Sequence, residues 1–118
     1  MKKYLVIGNP IEHSLSPKLH NYWIKKNNLD AVYNKKQPNE NDVEGIINEV
    51  KNGKIDGINV TVPFKKLVIP FLDKLTPLAK ETHSVNTIYK EKEHGVDVVI
   101  GDNTDVGGFK QSLEYIHY

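Results

Sequence analysis

Apolar residues recur along this chain in two rhythms. Tyr4 to Ile7 and Ala31 to Tyr33 are short apolar runs, while Ile58, Val60 and Val62 alternate with Asn59 and Thr61. Segments of this length predict strands. Between them Leu19, Tyr22, Trp23 and Ile24, and then Val43, Ile46, Ile47 and Val50, are spaced for the buried stripe of a helix. Ser16 before Pro17 predicts the first helix start, with a hydroxyl at the cap and proline at the first helical position. Asn41 with Glu44 three residues on resembles a capping box for the second helix, which fades at Gly53. The resulting order β, α, β, α, β predicts an α/β domain: an open, mainly parallel twisted sheet with helices on both faces.

The third strand breaks the rules of such a sheet. In DGINVTVPFKK, Asp56 to Lys66, a central strand should be apolar on both faces, yet Asn59 and Thr61 are polar. Pro63 predicts a change from strand to helix, because it lacks the N–H of a ladder and its fixed φ suits a first helical turn. That would set Lys65 and Lys66 at the unfavourable positive end of a helix dipole. Three local conflicts meet at one strand end, and functional sites are where local rules tend to fail.

Past this point Leu67, Val68, Phe71 and Leu72 keep helical spacing around Pro70, which predicts a short or kinked helix. Thr76 and Pro77 predict another helix start. Val85 to Tyr89 and Val96 to Ile100 read as strands joined by the polar loop Lys90 to Gly95, which predicts one antiparallel strand. After the polar loop Gly101 to Asp105, the residues Val106, Phe109, Leu113 and Ile116 predict a last helix over 105–117.

Composition changes this picture little. With 118 residues the chain is expected to be one domain, 1–118. A net charge of +1, with scattered basic residues, gives no field to recruit nucleic acid or an anionic membrane. Zero cysteines exclude a disulfide frame and thiolate metal sites, and fit a reducing compartment. The apolar run at the N-terminus is too short for a signal peptide or membrane span, so a cytoplasmic protein is expected. His13, His20, His83, His94 and His117 lack metal-ligand spacing, so no metal is expected. Oligomeric state is not encoded in any pattern here.

Several polar residues have two readings each. Ser14 and Ser16 precede a helix N-terminus, which can receive a carboxylate, or Ser16 merely caps. Asn59 and Thr61 contact a ligand or bond a neighbouring loop. Lys65 and Lys66 belong to a site or to a solvated face. Asn86 and Asp102 are site residues or strand-edge and turn residues. The ends of parallel strands open on one carboxyl edge, and that is where all of these would gather.

Four stretches, GNPIEHSLSPKLHN near the start, NVTVPFK, SVNT at Ser84 to Thr87 and GDNTD at Gly101 to Asp105, resemble the shikimate dehydrogenase family, specifically its N-terminal substrate-binding domain. The resemblance spans the whole chain with all four motifs in order. It implies reduction of 3-dehydroshikimate to shikimate with NADPH, a step of aromatic amino-acid (chorismate) biosynthesis. It also implies an α/β substrate domain followed by a Rossmann-type NADP domain. By position it assigns Ser14 and Ser16 to the substrate carboxylate with Thr61 close by, and Asn59, Asn86 and Asp102 to ring hydroxyls. Lys65 and Asp102 become the catalytic pair, the lysine moving a proton on the reacting oxygen and the aspartate orienting it.

Three departures accompany the resemblance. His83 stands where the family usually has glycine, and Asp105 is followed by Val106, Gly107 and Gly108 where NTDG is common. No GxGxxG occurs, so NADP is expected in the full-length enzyme, with no tight cofactor binding by this chain, which is expected to be inactive alone. A stand-alone binding module of the same fold, or the substrate domain of a quinate/shikimate dehydrogenase, is the alternative.

Overall fold

A computed structural model describes residues 2–9, 21, 22, 24–27 and 30–104. Six strands form one sheet: β1 (Lys2–Ile7), β2 (Ala31–Lys36), β3 (Gly57–Val60), β4 (Lys74–Leu75), β5 (Thr87–Glu93) and β6 (Val96–Asp102), in the spatial order β2-β1-β3-β5-β6-β4. β1 runs parallel to β2 and β3, β4 runs parallel to β6, and β5 is antiparallel to both its neighbours. The expected mainly parallel α/β sheet with one antiparallel strand is therefore what forms. Because only β5 is reversed, its first residue lies at the same edge as the last residues of β1, β3 and β6.

The two faces differ. Ile7, Ile58, Val60 and Ile88 pack with Val43, Ile46, Ile47 and Val50 of helix α1 (Val43–Lys51) and with Ala79 of helix α2 (Pro77–Thr82), forming the main core. On the other face Val6 and Tyr33 form a smaller cluster joined by Tyr4 and by Ile24 of the helical stretch around residues 21–26. Helices thus cover both faces. Asn21 fastens its helix to the sheet, its Nδ2 donating to the Tyr33 carbonyl at 2.6 Å and its Oδ1 accepting from Tyr33 N at 2.9 Å.

Several expected elements are corrected. No helix follows Pro63; residues 61–68 turn irregularly, the Val62–Pro63 peptide is cis, and a single 3-10 turn covers Ile69–Phe71. Pro63 and Pro70 leave too few residues between them to propagate a helix, and Phe64 and Val68 instead anchor the turns in the core. The dipole argument for Lys65 and Lys66 accordingly has no helix to rest on. The bracket expected at Asn41 and Glu44 forms two residues earlier, where the Asp42 carboxylate accepts from Asn39 N at 3.1 Å across a 3-10 turn, Glu40–Asp42.

The expected loop Lys90 to Gly95 is mostly strand, since Lys90 to Glu93 pair with Val96 to Val99. Only His94 and Gly95 turn the chain, with φ of 53° and 80°. Two successive positive φ values match the twist of a two-residue hairpin, and the polar side chains belong to exposed strand. β4 is not signalled by Lys74 and Leu75, which are too few for a period. Thr76 does cap α2, its Oγ1 accepting from Ala79 N at 3.4 Å. The expected helix start at Ser16–Pro17 and the helix over 105–117 lie outside the described residues.

Candidate functional site

The carboxyl edge of the sheet is laced by backbone bonds that cross from strand end to strand end. Thr61 N donates to the Ile7 carbonyl at 2.9 Å, and Asn9 N to the Val62 carbonyl at 2.9 Å, so the chain leaves β1 pinned beside the end of β3. Val60 N donates to the Asn86 carbonyl at 2.7 Å. Two consecutive N–H groups then tie the edge together: Val85 N donates to the Lys65 carbonyl at 2.8 Å and Asn86 N to the Asp102 carbonyl at 3.0 Å. The main chain of Lys65 and that of Asp102 are therefore held to neighbouring links of one short segment.

Side chains on this frame form a polar row. Asn59 pairs with Thr87, and Thr87 with Asp102, in the antiparallel registers of β3, β5 and β6. Residues directly opposite one another project to the same face, so a carboxamide, a hydroxyl and a carboxylate stand side by side. At a strand spacing of about 4.8 Å the row spans roughly 10 Å. It lies on the face of Val6 and Tyr33, opposite the face that α1 covers.

Each member is oriented. Tyr33 Oη donates to Asn59 Oδ1 at 2.5 Å. Asn86 is buried, and its Oδ1 accepts from Thr87 Oγ1 at 3.0 Å, Thr104 N at 3.0 Å and Thr104 Oγ1 at 3.1 Å. That fixes the planar amide with Nδ2 on the opposite side from the threonines. Asp102 Oδ1 accepts from Thr76 Oγ1 at 2.6 Å and from Asn103 N at 2.8 Å. Burial pushes the Tyr33 hydroxyl well above the ordinary tyrosine range, so it remains a donor throughout neutral pH.

Of the residues singled out in the sequence, Asn59, Thr61, Asn86 and Asp102 meet at this edge, and Lys65 joins them through the Val85 bond. Ser14 and Ser16 lie outside the described residues. Sequence reading overlooked Tyr33, Thr76, Thr87 and Thr104. Tyr33 and Thr76 carried signals only for core and cap, whereas Thr87 stood inside a quoted motif without a role. His83, the departure from glycine, adopts φ 52° and ψ 43° as the left-handed C-cap of α2. That backbone region explains a preference for glycine there.

Such an array of amide, hydroxyl and carboxylate groups suits a small polyhydroxylated ligand rather than an extended polymer. Residues 6–88 match the family model described as "Shikimate dehydrogenase substrate binding domain". The chain is 56% identical over 113 residues to the NADP(+) shikimate dehydrogenase of Pelagibacter ubique, covering 96% of this chain and 41% of that protein. It is 43% identical over 114 residues to that of Bacillus subtilis, covering 96% of this chain and 39% of the relative. A Thermus thermophilus shikimate 5-dehydrogenase solved with NADP(H) and shikimate superposes with a TM-score of 0.80 at 30% identity, over 98% of this chain and 42% of the other. The chain thus spans about two fifths of the length of the relatives it matches, and it belongs to the shikimate dehydrogenase substrate-binding domain family.

Proposed function

We propose that this chain is the substrate half of an NADP-dependent shikimate dehydrogenase, binding shikimate and 3-dehydroshikimate at the carboxyl edge of its sheet. The observation that carries the reading is the row Asn59, Thr87, Asp102 with Asn86 and Thr61 at its rim, all at one sheet edge. Hydroxyls of the ring would be met by the Asn59 and Asn86 amides and the Asp102 carboxylate. Ser14, Ser16 and Thr61 would meet its carboxylate. Lys65 would donate a proton to the alkoxide oxygen as the carbonyl becomes an alcohol, and recover it in the reverse direction. Asp102 would orient the ammonium and accept from the neighbouring hydroxyl.

The nicotinamide nucleotide supplies and accepts hydride. The sequence carries no GxGxxG turn for its pyrophosphate, so we assign its binding to the part of the relatives that this chain does not span. Alone, the 118 residues are expected to leave NADP+ unreduced in the presence of shikimate. The absence of cysteine is compatible with a cytoplasmic setting.

In a complete protein joining this chain to a cofactor domain, Lys65→Ala should lower turnover by about 10²–10⁴ with little change in the Michaelis constant. A larger Michaelis constant with unchanged turnover would refute the proton-transfer role. Titrating the chain itself with shikimate, and separately with quinate, should shift the amides of Asn59, Asn86 and Asp102. Tighter binding of quinate would reassign the substrate.

A further inference from the structure

Thr76 is the first residue after β4, and its N–H donates to the Gly101 carbonyl at 3.0 Å, which sets it beside Asp102. Its hydroxyl has one proton, and that proton goes to Asp102 Oδ1 at 2.6 Å. A lone pair of the same oxygen accepts from Ala79 N at 3.4 Å in the first turn of α2. The other end of α2 is tied to the same segment, since Asn103 Nδ2 donates to Thr82 Oγ1 at 2.9 Å and Thr82 Oγ1 donates to the Leu78 carbonyl at 2.8 Å. The helix braces the end of β6 from two points, but only Thr76 reaches the carboxylate.

Both donors to Asp102, Thr76 Oγ1 and Asn103 N, converge on Oδ1. One oxygen is anchored inside the protein, and the described residues bring no donor to the other, Oδ2. We propose that Thr76 is a positioning residue, which selects the rotamer of Asp102 and so aims Oδ2 toward the lysine and the substrate hydroxyl. The consequence for catalysis rests on the reading of Asp102 given above; the positioning itself does not.

The test compares the 118-residue chain with its Thr76→Val, Thr76→Ser and Thr82→Val variants. Side-chain couplings should report one χ1 rotamer for Asp102 in the parent, Thr76→Ser and Thr82→Val forms, and averaging between rotamers in Thr76→Val. Amide exchange across α2 separates this from loss of the helix cap, which Thr82→Val perturbs from the other end. An unchanged single rotamer in Thr76→Val, or averaging in the parent, would overturn the proposal. If Thr76→Val does not fold, the parent decides: a slowly exchanging Thr76 hydroxyl proton supports the bond, and exchange at the solvent rate overturns it. Shikimate affinity is the second readout, expected to fall about tenfold in Thr76→Val and to recover in Thr76→Ser. Shikimate binding to none of the forms would count against the substrate reading, while the rotamer result still decides the role of Thr76.

Discussion

The hydroxyl of Tyr33 donates to Asn59 Oδ1 at 2.5 Å, joining a core residue of β2 to a polar residue of β3 across the intervening β1. Tyr33 is only 3% exposed, and burial raises the pKa of its hydroxyl above the ordinary value of about 10. A raised acid pKa means that the folded chain keeps this proton after the unfolded chain has lost it. Stability from Tyr33 is therefore complete below about pH 10 and declines as pH rises beyond it. Tyr33→Phe should flatten that alkaline decline and, at neutral pH, lower stability by about 1–2 kcal/mol through the unpaired Asn59 oxygen. Urea unfolding of both proteins from pH 7 to pH 12 measures the two effects; parallel alkaline slopes would show that Tyr33 is not the group responsible.

His83 occupies the left-handed region, φ 52° and ψ 43°, at an exposed helix end. A side chain with Cβ is disfavoured there by about 1 kcal/mol relative to glycine. His83→Gly should raise the unfolding free energy by about 0.5–1 kcal/mol. A lower urea midpoint would mean that the imidazole makes a compensating contact.

Gly101 stands where β6 passes beneath the 3-10 turn and α2. A Cβ there would lie 2.5 Å from Leu72 Cδ1, 2.9 Å from Val85 Cγ2 and 3.1 Å from Leu75 Cδ2. Buried Val85 and the partly buried Leu72 and Leu75 crowd one position, so Gly101→Ala should destabilise by about 1–3 kcal/mol. Because the next residue is Asp102, the amide resonances of Asp102 and Asn103 should shift as well. A variant as stable as the parent would show that the leucines repack freely.

Asn86 gathers three donors on one oxygen. Removing that oxygen in Asn86→Ala leaves Thr104 N–H without its acceptor, at about 1–3 kcal/mol. Hydrogen exchange at Thr104 should accelerate by more than that at Val99, which lies in the core of β6. Equal protection in both proteins would count against Asn86 as the clamp on this segment.

The elements that the sequence announced are those whose side chains alternate between core and solvent. Ile58 and Val60 against Asn59, or Val43, Ile46, Ile47 and Val50, carry their period in composition alone. What escaped was set by other means. The absent helix after Pro63 depended on two prolines acting together with Phe64 and Val68, a tertiary demand that overrides local spacing. β4 exists because Lys74 and Leu75 pair with Ile100 and Gly101, which no two-residue window can signal. At the site, Asn59 was legible as a polar residue on an apolar strand, whereas Asp102 stood in a polar loop and was marked only by the motif that contains it. Thr76 and Tyr33 were not, since a cap threonine and a core tyrosine look the same whether or not they also hold a neighbour.

Reversal of β5 has a consequence for how this domain can be altered. Seven residues of strand, about 23 Å, separate Thr87 at the polar edge from the turn at His94 and Gly95. Changes of length at that turn are taken up by an exposed hairpin tip and need not be transmitted along the paired strands. A tag, a dye-bearing residue or an inserted peptide placed there would report on the protein from the end of the sheet opposite to its polar edge.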